Sequence, residues 1–284
     1  MLAPANWRWI GRCLLLHLLA AAAIFAQEPP PAPDVSWSAW KKMPSDILRD
    51  QKALWASPFH IKRKNVKWWI AMGAVTGALI ATDRRASREL PNTPDQQRFS
   101  NNVSRIGASY TMAAVAGGSY LAGTLTHRDY LAETGLLAAE ALLDGVIVSE
   151  ALKVVTQRPR PLEGNRGGDF LDGGYSFPSG HAVTNFALAS VIAHRYPHKK
   201  ALVIASYGLA GLVGASRFSA QQHFASDIVV GGVIGYFIGR HVVQSHERPR
   251  PGVRGWLSPQ VIPTFQPSDH SYGILLAWHP GRTN

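Results

Sequence analysis

Cysteine is nearly absent: the 284 residues hold one, Cys13, inside the first hydrophobic stretch. Once that stretch is removed, disulfides, thiolate metal ligands and thiol nucleophiles are excluded. Charge is sparse as well. Only 17% of residues are charged while 46% are hydrophobic, against roughly a quarter charged in an average soluble domain. That balance suits a membrane protein or a heavily buried helical core. Acidic residues are the scarcer sign, 18 against 29 lysines and arginines, for a net charge of +11. Such an excess favours an anionic partner: phosphorylated substrates, acidic lipid or nucleic acid. Nucleic acid is set aside, because no basic stripe interleaves with stacking aromatics. β-type alternation is rare before the C-terminal tail, and no repeat is evident.

What is present begins with a secretory signal over residues 1–26: Arg8 and Arg12, an apolar run from Cys13 to Ala26, then a polar start at Gln27. The alternative is an uncleaved anchor, though the run is short for a span. Residues 27–65 read as a proline-rich linker (Pro29 to Pro33) and an amphipathic aromatic segment with Trp37, Trp40, Ile47 and Trp55, either a helix lying on a surface or, preferred, a segment packed against the main domain. A helical domain is assigned to residues 66–245. Apolar runs at Trp68–Thr82, Ile106–Leu125, Tyr130–Val155, Ala182–Ala193, Ala201–Ala215 and Ile228–Val243 predict six helices. Gly73, Gly77, Gly117, Gly118, Gly208, Gly211, Gly231 and Gly232 are expected to let helices approach closely. The tail, residues 246–284, is irregular or β-prone around Phe265 and Ile274. The predicted fold class is therefore all-α: a six-helix bundle with its active site at helix ends and a short C-terminal appendage.

Three segments carry the chemistry. Lys153 to Pro161, with Arg158 and Arg160, ends the third helix. Pro178-Ser179-Gly180-His181 opens the fourth. Ser216-Arg217, His223 and Asp227 span the turn from fifth to sixth. Ser179 is placed as a helix cap, and the amides behind it, Gly180's included, favour an anion. Lys153, Arg160 and Arg217 supply cations, and the arginines can fork onto two oxygens. His223 and Asp227, four apart, share a face on a helix. An aspartate on one imidazole nitrogen leaves the other free to attack phosphorus, and His181 can protonate a leaving oxygen. Taken singly, each segment has a plainer explanation: a helix-end charge, a stop signal, a turn and cap, a surface pair. Together they form a phosphoryl-transfer set with cations in place of magnesium.

The three segments resemble the motifs of the type 2 phosphatidic acid phosphatase superfamily, which includes class A acid phosphatases and vanadium haloperoxidases. Lys153, Arg160 and Pro161 match the first motif, residues 178–181 the second, and Ser216, Arg217, His223 and Asp227 the third, with no departure. The resemblance covers roughly Trp68 to Val243. It implies His223 as nucleophile, Asp227 as its orienting partner and His181 as general acid and later base. Lys153, Arg160, Ser179, Gly180 and Arg217 would hold the phosphate oxygens, with no metal and no cofactor. Arg158, just outside the motif, reads as a local charge, with a role in substrate entry as the alternative. The implied activity is hydrolysis of phosphate monoesters or diphosphates, with lipid-linked substrates such as phosphatidic acid, phosphatidylglycerol phosphate, polyprenyl diphosphate or a lipid A phosphate. The alternatives are a soluble periplasmic acid phosphatase, a vanadium-dependent haloperoxidase and a headgroup-binding protein without turnover.

Export to the cell envelope is expected, with membrane embedding preferred over a soluble periplasmic bundle. Several runs are shorter than the roughly 20 residues a span prefers. Glu133, Glu140, Asp144 and Glu150 on the third helix would be costly against lipid. In a membrane they must line the bundle interior. The charge pattern of the loops leaves the facing of the active site open.

Overall fold

The computed structural model describes residues 38–163, 167–247, 260–266 and 271–277. The signal segment with Cys13, the proline-rich stretch and Trp37 lie outside the described residues. Eight α-helices follow in order: α1 Ser38–Ala56, α2 Val66–Glu89, α3 Pro94–Ile106, α4 Ser109–Leu125, α5 Asp129–Thr156, α6 Gly180–Arg195, α7 Lys200–Ser219 and α8 Ala225–Glu247. The six predicted helices correspond to α2 and α4–α8, with ends shifted by up to seven residues. The chain forms two compact units divided after Ser245. In the second, β1 (Gln260–Gln266) and β2 (Ser271–Ala277) pair antiparallel, with Val261 opposite Leu276 and Pro263 opposite Ile274. The β-prone residues Phe265 and Ile274 fall in these strands.

Two of the described helices lie outside the six that the apolar runs predict. The aromatic segment is α1, and it packs as expected: Met43, Asp46 and Asp50 are buried, and Gln51 Nε2 donates to Asp144 Oδ1 at 2.8 Å on α5. The other, α3, escapes an apolar search because its inward face is serine. Ser100 and Ser104, one turn apart, are both buried and meet Ser219 and Ser216 of α7 at 3.1 and 2.9 Å. Its start is conventional, with Thr93 capping the amide of Gln96 ahead of Pro94.

The core lies between α4, α5, α6 and α8 and is built from Met112, Leu137, Leu142, Val183, Val191, Ile238 and Val242 among others. Much of the opposite, outward surface is apolar too. Trp68, Ile70, Tyr110, Leu121, Leu125, Val155, Ile204 and Leu212 are exposed, Ile204 to 72%. By contrast the acidic residues of α5 beyond its first turn lie inward or are paired. Glu140 and Asp144 are buried against α1, Glu133 meets Arg195 at 2.5 Å, and Glu150 meets Lys153 at 2.6 Å.

Close approach is achieved at glycines other than most of those expected. A methyl group at Gly73, Gly77, Gly117, Gly118, Gly208 or Gly211 would meet nothing within 4 Å, because these faces turn away from neighbouring helices. Gly231 and Gly232 do face α6, and Gly235 and Gly239 approach it more tightly still. A Cβ at Gly235 would lie 2.2 Å from the Val183 carbonyl oxygen. Gly235→Ala should therefore push α8 off α6 and cost about 1–3 kcal/mol as overpacking. Thermal unfolding in detergent would register this as a lower midpoint, whereas Gly208→Ala, on an open face, should raise it slightly.

Candidate active site

The motif residues sit where helices end. Lys153 is in the last turn of α5, which closes at Gln157 in the left-handed region (φ 45°) just before Arg158-Pro159. The loop then folds back onto its own start. Leu171 and Asp172 amides donate to the carbonyls of Thr156 and Gln157, and the Ser176 amide donates to that of Arg158 at 2.7 Å. Gly168 (φ +70°) turns this loop against the Phe224 ring, which a Cβ would strike at 2.4 Å. Ser179 caps α6, accepting from the Ala182 amide, and its own amide donates to the Asp227 carbonyl at 3.0 Å. Arg217 is in the last turn of α7, and Asp227 in the first turn of α8.

His223 precedes α8 rather than lying on it, so the expected shared helical face with Asp227 does not exist. The turn brings the two together instead. His223 is buried, and its Nδ1 lies 2.9 Å from the Ser176 carbonyl oxygen and 3.6 Å from Asp227 Oδ2. A carbonyl can only accept, so Nδ1 carries the proton and Nε2 keeps its lone pair. Ser176 thus makes the orienting hydrogen bond, and Asp227 acts on the ring as a charge, since 3.6 Å is too long for a hydrogen bond. Sequence reading missed Ser176, because nothing in the motif spacing marks a backbone acceptor. Burial pushes the His223 imidazole below its ordinary pKa. Asp227 opposes this, and Arg217 and Arg160 add to it. The balance favours the neutral ring.

Around it are the cations. Arg217 is half-buried, and its Nε, fully shielded, has no hydrogen-bond partner among the described residues. Arg160 bonds Gln222 Oε1 at 3.1 Å. Lys153 Nζ, besides its pairing with Glu150, lies where a Cβ on Gly180 would come within 3.3 Å of it. These groups converge on His181: burial, then Arg217, His223, Lys153 and Arg160, hold its pKa down to about 3. The structure therefore gathers His181, His223, Lys153, Arg160, Arg217, Ser179 and Gly180 at one end of the bundle. A phosphate dianion placed among them would offset the cations and let His181 take up a proton.

Arg158 is not a local surface charge. It is 1% exposed, stacked between the Phe224 and Phe170 rings at 4.2 and 4.9 Å, and paired with Asp83 at 2.9 Å and Asp227 at 2.7 Å. Two carboxylates make burial of the guanidinium tolerable. No sequence signal linked Asp83 to it across 75 residues. A separate set, Asp50, Glu140 and Asp144, presents carboxylate oxygens within 4.8 Å of one another, a spacing that suits a cation. Asp144 lies nine residues before Lys153 on the same helix, about 13 Å along its axis, and none of the motif residues belongs to that set.

Residues 134–251 match the model of the PAP2 superfamily. Over 65 residues the chain is 35% identical to the lipid A 1-phosphatase of Porphyromonas gingivalis, a stretch covering 22% of this chain and 15% of the relative's length. Two solved structures are similar at 22% identity. The transmembrane PAP2-type phosphatidylglycerolphosphate phosphatase of Bacillus subtilis has a TM-score of 0.48, over 74% of this chain and 99% of that one. Aquifex aeolicus LpxE has a TM-score of 0.45, over 58% and 93%.

Proposed function

We propose that this chain, whose residues 134–251 are a PAP2 superfamily segment, is a membrane-embedded phosphatase. It would hydrolyse lipid-carried phosphate monoesters or diphosphates through a phosphohistidine, without a metal ion. The observation that carries this is the state of His223: buried, protonated at Nδ1 by its bond to the Ser176 carbonyl, with Nε2 left as a lone-pair donor beside Arg217 and Arg160. Nε2 attacks phosphorus as the bond to the leaving oxygen breaks, and His181 gives that oxygen its proton. Water, deprotonated by His181, then attacks the phosphorus and releases inorganic phosphate, restoring both imidazoles. Arg217, Arg160, Lys153 and the amides at Ser179 and Gly180 take the charge on the three spectator oxygens. These cations occupy the role a metal would otherwise fill, and Asp227, the carboxylate at the site, is engaged by Arg158 rather than open to a metal.

Membrane embedding is supported by the exposed apolar side chains on α2, α4, α5 and α7, far more than scattered surface residues would provide. Helices α7 and α8 are long and apolar enough to span a bilayer. Leu171 (73% exposed) and Tyr175 (58%) sit on the loop between the first two motifs and give the site an apolar rim, which fits a lipid-borne substrate. The partial similarity to a lipid A 1-phosphatase points the same way.

The test is phosphate release by purified protein in excess EDTA, on phosphatidic acid, phosphatidylglycerol phosphate, a polyprenyl diphosphate, lipid A and soluble monoesters. Activity should be unchanged by the chelator and higher on lipid phosphates. Faster turnover of soluble esters by detergent-free protein would favour the periplasmic acid phosphatase instead. Halide oxidation dependent on added vanadate would favour the haloperoxidase.

A further inference from the structure

Arg158 spends its guanidinium entirely inside the protein. Nε donates to the Gly168 carbonyl at 2.8 Å, Nη1 to Ser226 Oγ and Asp227 Oδ1 at 2.7 Å each, and Nη2 to Asp83 Oδ2 at 2.9 Å. Asp83, near the end of α2 and 1% exposed, also accepts from the Ser226 amide at 3.2 Å and from the Ser226 hydroxyl. Neither residue belongs to the three motifs, and Asp83 precedes the family segment altogether.

From these two groups a continuous path runs to the reacting nitrogen. Asp227 Oδ1 is held by Arg158, and Asp227 Oδ2 accepts from Ser176 Oγ at 2.5 Å and from the Phe224 amide at 2.9 Å. Ser176, whose carbonyl takes the Nδ1 proton of His223, is thus fixed twice: its hydroxyl by Asp227, and its amide by the Arg158 carbonyl. We propose that Asp83 and Arg158 are positioning residues for His223, locking Asp227 and Ser176 into the one arrangement that keeps the proton on Nδ1. They also fix the net charge behind the ring.

That charge is countable. Asp83, Arg158 and Asp227 together carry −1. With Asp83 neutralised the trio carries zero, and with Arg158 removed it carries −2. A phosphorylated imidazole that keeps its Nδ1 proton is cationic, so a modest negative charge behind it favours the intermediate. The other charged or titratable groups facing His223 are Arg217 from α7, Arg160 from the loop after α5 and His181 from α6. Neither substitution touches these. The two substitutions should therefore move the titration of His223 in opposite directions, which general loosening of the fold would not do.

This assignment rests on the phosphatase reading for its kinetic arm only, so the experiment has two arms. In the first, the pH dependence of phosphate release is compared for full-length wild type, Asp83→Asn and Arg158→Met. Each variant should lose kcat roughly tenfold to a hundredfold, as for residues that orient a reacting group through its partner, with KM within about twofold. The acid limb should move down in Asp83→Asn and up in Arg158→Met, each by roughly half a unit or more. The double variant should recover part of the loss, since it returns the charge behind the ring to −1, now carried by Asp227 alone.

The second arm follows the His223 imidazole directly, by nitrogen NMR of histidine-labelled protein in micelles, and the same opposed shifts are expected whether or not phosphate is released. If wild type is inactive yet the shifts appear, the phosphatase reading fails and the positioning assignment stands. If wild type is active and His223 titrates identically in both variants, the positioning assignment is overturned. Should Arg158→Met fail to fold, Arg158→Lys keeps the charge without the fork. It should lower kcat with little movement of the acid limb, and unchanged kcat in that variant would equally overturn the proposal.

Discussion

His223→Ala is expected to release phosphate at least roughly a thousandfold more slowly than wild type while remaining folded. On the proposed route the loss is large because the side chain supplies the attacking nitrogen of the first step. Burial and the cations around it keep the His181 ring neutral in the resting site, poised to exchange a proton with the leaving oxygen and not to attack phosphorus. Folding should survive because the ring's polar bond is to the Ser176 carbonyl, and Ser176 keeps its tie to Asp227 and to the Arg158 carbonyl. Losing one such bond costs on the order of 1 kcal/mol, plus the cavity left by the ring. The check is steady-state release together with trapping of labelled phosphoprotein under alkaline quench. Wild type should show an acid-labile phosphorylated band and His223→Ala none. Activity unchanged in the variant would remove the nucleophile assignment outright.

The second large effect belongs to His181. His181→Asn should slow turnover of alkyl phosphates, lipid phosphates included, by roughly 10²–10⁴-fold. It should slow p-nitrophenyl phosphate far less in the first step, because nitrophenolate departs without a proton. With that substrate the second step, which needs a base for water, becomes limiting, and the phosphoprotein should accumulate. A burst equal to the enzyme concentration, followed by a slow phase, is the expected trace. Equal slowing of both substrates without a burst would show that His181 serves binding rather than proton transfer. Burial, together with the surrounding cations, lowers His181 to about 3 in the resting site; on the proposed route, substrate charge arriving among Arg217, Lys153 and Arg160 offsets the cations and favours uptake of the proton.

The helices and the motif-bearing ends were legible in the sequence because both depend on local pattern. Apolar runs bounded by Gly, Pro and capping residues mark α4 to α8, and Ser179 caps α6 as its neighbours dictate. What escaped detection is non-local or polar. The buried face of α3 is drawn in serine, so an apolar search passes over it. Ser176 acts through a carbonyl, which every residue has. Arg158 looked like a loop charge because its two carboxylates come from α2 and α8, brought together only by folding. Six of the eight glycines singled out face open space, since composition reports small residues without saying which way they turn.

The polar seam between the first helices and the α7–α8 turn bears on how far the catalytic segment can be moved. Gln221 Nε2 donates to the carbonyls of Ser87 and Leu90, Gln96 Nε2 to that of Ser219, and Asp83 anchors Ser226. Every one of those N-terminal partners lies before residue 134. A fragment trimmed to residues 134–251, or a chimera that transplants them onto a foreign N-terminal half, would carry every motif residue. It would nevertheless leave Arg158 short of a counter-charge and the turn bearing His223 without its splint. Shuffling experiments with this chain should therefore exchange the helices from α2 onward as one piece.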